Sequence, residues 1–122
     1  MSKANDISLY KNNSNIPKLI TIPKLHQMKK DGIPIVSLTA YDYSMGKEMD
    51  QAGGDVILIG DSLGCVIQGK QNTLSVSLEN IIYHTKIVSN GIKRALVVAD
   101  LPFSVSFFYL CRELYVSVFC GP

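Results

Sequence analysis

Two acids stand at the ends of apolar runs, and they are where this sequence has the most chemical reach. Asp61 closes Asp55-Val56-Ile57-Leu58-Ile59-Gly60 and is followed by Ser62-Leu63-Gly64; Asp100 closes Arg94-Ala95-Leu96-Val97-Val98-Ala99. Unbroken apolar runs rich in β-branched residues read as strands buried on both faces. In parallel sheets, ligands bind at the carboxyl ends of the strands. Consecutive parallel strands usually lie side by side, so the two carboxylates would project from one rim. Two acids in one dry place repel, and a bound cation or a raised pKa is expected there. Oxygen-only ligation suits a hard ion such as Mg²⁺. Such an ion can hold a 2-oxo acid through its carboxylate and carbonyl and acidify the neighbouring C–H. Ser62 would offer a hydroxyl to the same molecule. The plainer reading of both acids, as strand-end residues that cap the next turn, stays open on the pattern alone.

The elements around them are legible from caps and periods. Residues 1–20 are polar and Asn-rich, with Pro17 breaking the only apolar stretch, and read as a flexible tail. Thr21 can cap a short helix with Pro23 in its first turn, an Ile22, Leu25, Met28 stripe, and Asp31-Gly32 at its end. Ile33 to Thr39 reads as a first strand. Asp42 can cap a second helix whose apolar positions are Met45, Met49 and Ala52, closed by Gly53-Gly54. The strand over residues 55–60 follows, then a loop long enough to be functional. Ser77 caps a third helix with Glu79 in its first turn and Leu78, Ile81, Ile82, Thr85 and Val88 on one face, ended by Asn90-Gly91. A last strand runs from Arg94 to Leu101. Helix, then strand–helix–strand–helix–strand, predicts an α/β fold with a parallel sheet and right-handed crossovers.

Composition narrows the function classes. The chain has 122 residues and a net charge of +2, with no Lys/Arg block, so nucleic acid is not an expected partner. Cys65, Cys111 and Cys120 form no Cys-x-x-Cys pair and no disulfide framework, which fits a reducing compartment. The first 20 residues carry neither a signal core nor an Arg-rich transit pattern, so a cytoplasmic protein is expected. No apolar run approaches the roughly 18 residues of a membrane span.

Three features are decoys. Gly64-Cys65-Val66-Ile67-Gln68-Gly69-Lys70 matches a phosphate-binding loop, but Gln71 stands where Ser or Thr must hold Mg²⁺, and no helix begins at Lys70. His26 and His84 lie on predicted helices without a partner at metal spacing, and read as solvated or packed side chains. Cys65 has no accompanying base and reads as a small buried side chain.

Several segments together resemble one family. Leu38-Thr39-Ala40-Tyr41-Asp42-Tyr43, the stretch from Asp55 to Gly64, Tyr83-His84-Thr85-Lys86 and Ala95-Leu96-Val97-Val98-Ala99-Asp100-Leu101-Pro102-Phe103 are similar, in order and spacing, to ketopantoate hydroxymethyltransferase (3-methyl-2-oxobutanoate hydroxymethyltransferase). The resemblance covers about residues 20–103 and departs at Lys70, where an aromatic is usual, and at Ser75, where proline is usual. It implies an α/β architecture, the first three or so strands of a (β/α)₈ TIM barrel over residues 21–103. It implies Mg²⁺ and the cosubstrate 5,10-methylenetetrahydrofolate, with a hydroxymethyl group passing to 3-methyl-2-oxobutanoate to give 2-dehydropantoate in pantothenate biosynthesis. Carried over by motif, Asp61 and Asp100 are the metal-side acids, Asp61, Ser62 and Asp100 contact substrate, and the assembly is a homo-oligomer.

The resemblance stops near Phe103. The family's later Lys-Leu-Glu-Gly segment and its general-base glutamate have no counterpart here, so no residue is assigned as the base, and Glu113 does not match. Residues 104–122, which hold three of the four phenylalanines, read as a non-family tail of the kind a frame change or truncation produces. Two alternatives stay open: an inactive remnant or subunit-binding fragment, and a related Mg²⁺ barrel enzyme acting on another 2-oxo acid.

Overall fold

The computed structural model describes residues 18–103 and 105; the tail expected over residues 104–122 lies outside them except for residue 105, as do residues 1–17. Seven elements follow in order: α1 (Ile22–Lys30), β1 (Ser37–Thr39), α2 (Tyr43–Gln51), β2 (Val56–Ile59), α3 (Leu63–Val66), α4 (Leu78–Ser89) and β3 (Leu96–Ala99). The strands form one parallel sheet in the order β1-β2-β3. The alternating α/β pattern and the parallel sheet expected from the sequence are therefore present.

Each long helix begins where a side chain satisfies its free amides. Thr21 Oγ1 accepts from the Lys24 amide at 3.4 Å, and Asp42 Oδ1 accepts from the Met45 amide at 2.8 Å. At α4, Ser77 and Asn80 bond each other's backbone amides reciprocally, a capping box. Glu79 lies in that first turn, and its carboxyl is held below the ordinary carboxylate range, first by a backbone hydrogen bond and then by the Ser77 hydroxyl. A depressed folded-state pKa contributes stability above the unfolded value and loses it as pH falls through the folded one. The start of α4 should therefore loosen in acid, below the ordinary glutamate value of 4.5. Circular dichroism titration of Glu79→Gln against the parent, with the parent alone showing that acid-side loss, checks this.

The packing departs from the amphipathic stripes in instructive ways. On α2 the buried residues are Gly46 and Asp50, while Met45 is half exposed. The cause is Gly46, which meets α4 directly: a Cβ there would stand 3.1 Å from Val88 Cγ1. On α4, Ile81 and Val88 are buried and Ile82 is exposed. The first strand is shorter than the stretch from Ile33 to Thr39. Pro34 has no amide to donate, and the Val36 carbonyl is taken by the amides of both Asp55 and Val56 at 2.8 and 3.0 Å, so regular pairing begins only at Ser37. β1 is exposed throughout, so the expectation of a sheet covered on both faces fails at this edge. Ile20 belongs to the core rather than to the tail. It packs with Met28 and Leu96, and its amide donates to the Arg94 carbonyl at 2.8 Å.

Alternate residues of a strand face opposite sides. Leu96 and Val98 pack against α1, while Ala95 and Val97 join Ala40, Ile57, Ile59 and Val88 on the other side. The sheet thus lies between α1 and the α2–α4 pair. Ile57 and Ile59 on the central strand are completely buried.

The amino end of the sheet is fastened by two buried acids that the sequence reading did not single out. Asp50 accepts hydrogen bonds from the amides of Lys93 (2.8 Å), Arg94 (3.2 Å) and Ala95 (2.7 Å), which lead into β3. Asp55 accepts from the Val36 amide at 3.0 Å and pairs with Arg94 Nη2 at 2.6 Å. Arg94 Nη1 also donates to the carbonyls of Gly53 and Gly54. These carboxylates are satisfied, as buried charges must be.

Candidate active site at the carboxyl rim of the sheet

The opposite end of the sheet is built differently. Each strand delivers a polar side chain just past its last residue: Tyr41 two residues beyond β1, Asp61 two beyond β2 and Asp100 one beyond β3. Parallel pairing of Ile59 with Ala99 continues through the Asp100 amide, which donates to the Ile59 carbonyl at 2.8 Å. Asp100 therefore lies beside Gly60, one residue before Asp61. A Cβ on Gly60 would be 3.9 Å from both Asp100 Cβ and Ser62 Oγ, so the glycine leaves the room between these two side chains open. Asp61 is half-buried, and Ser62 and Asp100 are exposed. Among the described residues, neither the Asp61 nor the Asp100 carboxylate has a hydrogen-bond or ion-pair partner, in contrast to Asp50 and Asp55.

Ser62 is engaged from the β1 side, where its Oγ and the Tyr41 hydroxyl share a hydrogen bond. The Tyr41 ring is half-buried against the cluster of Leu63, Val76 and Ile81. The main chain of Tyr41 is held in turn by α4, through His84 Nδ1 and the Tyr41 carbonyl at 2.6 Å. His84 is thus packed and hydrogen-bonded, as its sequence context implied, and His26 is exposed. No role was assigned to Tyr41 from the sequence. Its position just beyond a strand, on the rim that carries Asp61 and Asp100, is the signal that could have found it.

The segment after Ser62 is not wholly loop. Its turns wind into the short helix α3, in which Leu63 and Gly64 are buried. A Cβ on Gly64 would stand 2.7 Å from Val76 Cγ2, so a bare backbone is needed to seat α3 under the segment before α4. Cys65 corrects the expectation of a buried side chain. It is exposed, because Leu63 and Gly64 take the inward positions of this single turn. The Gly-x-x-x-x-Gly-Lys match also has an ordinary explanation: the Lys70 amide closes back on the Gly64 carbonyl at 2.9 Å, with Gly69 at φ +66°. No group of three or more His, Cys, Asp or Glu side chains with metal-binding geometry occurs among the described residues. The oxygen donors available for a cation are the two rim carboxylates, a number that suits Mg²⁺, which keeps several waters and takes one or two carboxylates.

A parallel α/β sheet with two acids at its carboxyl rim that have no partner among the described residues has the layout of a sheet enzyme that binds small ligands at the strand ends. Comparison with known proteins makes this specific. The family model of ketopantoate hydroxymethyltransferase matches residues 19–107, and the chain belongs to that family of enzymes. It is 52% identical over 86 residues to 3-methyl-2-oxobutanoate hydroxymethyltransferase of Magnetococcus marinus, covering 70% of this chain and 32% of that protein. It is 55% identical over 83 residues to the protein of the same name from Clostridioides difficile, covering 68% and 30%. With the Neisseria gonorrhoeae protein of that name the identity is 53% over 85 residues, covering 70% and 32%. The chain thus spans about a third of the length of the curated relatives it matches.

Proposed function

We propose that this chain carries the metal- and oxo-acid-binding rim of a 3-methyl-2-oxobutanoate hydroxymethyltransferase. The three strands would be the first of a (β/α)₈ barrel, a homo-oligomeric cytoplasmic enzyme of pantothenate biosynthesis. In the overall reaction 3-methyl-2-oxobutanoate loses the proton on C3 and gains a carbon–carbon bond to the one-carbon unit of 5,10-methylenetetrahydrofolate. Water supplies the hydroxyl, tetrahydrofolate leaves, and the product is 2-dehydropantoate. Asp61 and Asp100 would hold Mg²⁺ with their carboxylates, and Asp61 and Asp100 would also contact the substrate. When bound, Mg²⁺ supplies a Lewis acid at the oxo group, which acidifies the neighbouring C–H. Ser62 would donate its hydroxyl proton to the substrate carboxylate.

The single observation that carries this reading is the contrast between the chain's acids. Asp50 and Asp55 are spent on backbone amides and Arg94, whereas Asp61 and Asp100 both stand at the carboxyl rim with no described partner. Calorimetric titration of 3-methyl-2-oxobutanoate into the chain tests it. Binding is expected with Mg²⁺ present and lost in EDTA. Equal binding in EDTA, or none in either buffer, would overturn it.

A further inference from the structure

Ser62 is held by a chain of contacts that reaches back to α4, and this chain decides which way its proton points. We infer that Tyr41 and His84 are positioning residues that commit the Ser62 hydroxyl to donate outward, to an anionic oxygen of a carboxylate ligand. The inference deepens the proposed function and rests on its reading of Ser62 as the carboxylate contact.

The argument starts from hydrogen-bond capacity. A serine hydroxyl has one proton to give and two lone pairs to receive with. A phenol O–H is more polarised than an aliphatic one and so is the better donor. Either oxygen of the Tyr41–Ser62 pair can give the proton; the phenol is the better donor and the aliphatic hydroxyl the better acceptor, which assigns donation to Tyr41 and acceptance to Ser62. Ser62 keeps its own proton for a third group: it is exposed on the rim, and among the described residues its hydroxyl has no side-chain hydrogen-bond partner other than Tyr41. An acceptor facing Ser62 receives that proton; a donor facing it finds one lone pair already used. The site so arranged favours an acceptor oxygen, and an anionic one most strongly.

The phenol acts in this way only if it is fixed, and three restraints fix it. Its ring lies against Leu63, Val76 and Ile81. Its hydroxyl is on Ser62. Its carbonyl receives a hydrogen bond from His84 Nδ1 at 2.6 Å. A carbonyl oxygen only accepts, so Nδ1 carries the hydrogen, and neutral His84 is the Nδ1–H tautomer with its lone pair on Nε2. The Tyr83 ring meets the His84 ring edge to face, 5.3 Å between centroids and 89° between planes, which restricts its rotation. Neither residue need touch the ligand; both act through Ser62.

A double-mutant cycle on the full chain, with calorimetric binding of 3-methyl-2-oxobutanoate in Mg²⁺, isolates the coupling. Tyr41→Phe keeps the ring and removes the donor. It should weaken binding about tenfold in the parent, the scale of a hydrogen bond supporting a charged contact. In a Ser62→Ala background the same change should cost less than about twofold. An equal loss in both backgrounds would mean that Tyr41 acts through packing and would overturn the inference. A second measurement needs no ligand. Nitrogen-15 spectra, assigned with His84→Gln, should show His84 protonated on Nδ1, and the Tyr41 phenol carbon resonance should move in Ser62→Ala. The Nε2–H tautomer, or an unmoved phenol resonance, would overturn the inference. Absence of oxo-acid binding by the parent would defeat the proposed function alone, and the two spectra would then decide the positioning chain by themselves.

Discussion

Asp50→Ala should destabilise the chain by about 3 kcal/mol, among the largest effects expected of any single surface-to-core change here. The carboxylate is 6% exposed and receives the amides of Lys93, Arg94 and Ala95, the three residues that lead the chain from α4 into β3. Alanine leaves those donors without a partner. Ala95 is buried, so its amide bears the full cost of about 1–3 kcal/mol; the Lys93 amide, near solvent, recovers part of its own through water. The loss does not stop there. Arg94, aligned by Asp50 through its amide, pairs with Asp55 and donates to the Gly53 and Gly54 carbonyls, so a shifted segment 93–95 loosens the amino end of β2 as well. Asp50→Asn keeps one acceptor oxygen and should lose about half as much. Urea unfolding read by circular dichroism gives the midpoint shift. Alanine and asparagine variants within about 0.5 kcal/mol of the parent would show that the network is ornamental, since that is the range of an inert surface change.

This network also marks the limit of what could be read from the sequence. The parallel order was legible because buried strands announce themselves in runs such as Val56-Ile57-Leu58-Ile59, and the caps Thr21, Asp42 and Ser77 because local hydrogen bonding dictates those residue types. The place of Asp61 and Asp100 on the rim was legible for a related reason: strand ends are local, and the carboxyl rim follows from parallel pairing. Asp50 was not, because an acid on a helix that serves amides more than 40 residues away has no local signature. Gly46 misled for a similar reason. A glycine reads as a gap in an apolar stripe, yet here it is the contact itself, and it turns Met45 outward. Tyr41 falls between these cases: its place past a strand end was visible, while its bond to Ser62 depends on how β1 and β2 come together.

Asp61→Asn and Asp100→Asn should each weaken Mg²⁺ binding by about 100-fold, the upper end of what is seen even for residues that only support a ligand. Asparagine is the informative change because it keeps shape and one oxygen while removing the charge that draws a hard cation. The competing account, in which these acids merely cap turns, makes the opposite pair of predictions. It expects a loss of stability and no change in metal affinity. Neither carboxylate has a described partner, so in Mg²⁺-free buffer both variants should unfold within about 0.5 kcal/mol of the parent. Mg²⁺ titration calorimetry beside urea unfolding separates the accounts in one set of proteins. Ser62→Ala completes the logic. It should leave Mg²⁺ affinity nearly unchanged when no oxo acid is present and weaken only the oxo acid, because a hydroxyl whose proton points at the ligand contributes nothing to holding the cation. Should Ser62→Ala lower Mg²⁺ affinity as far as the two acid variants do, the division of labour on the rim is wrong: Ser62 would then belong to the metal's own ligand set.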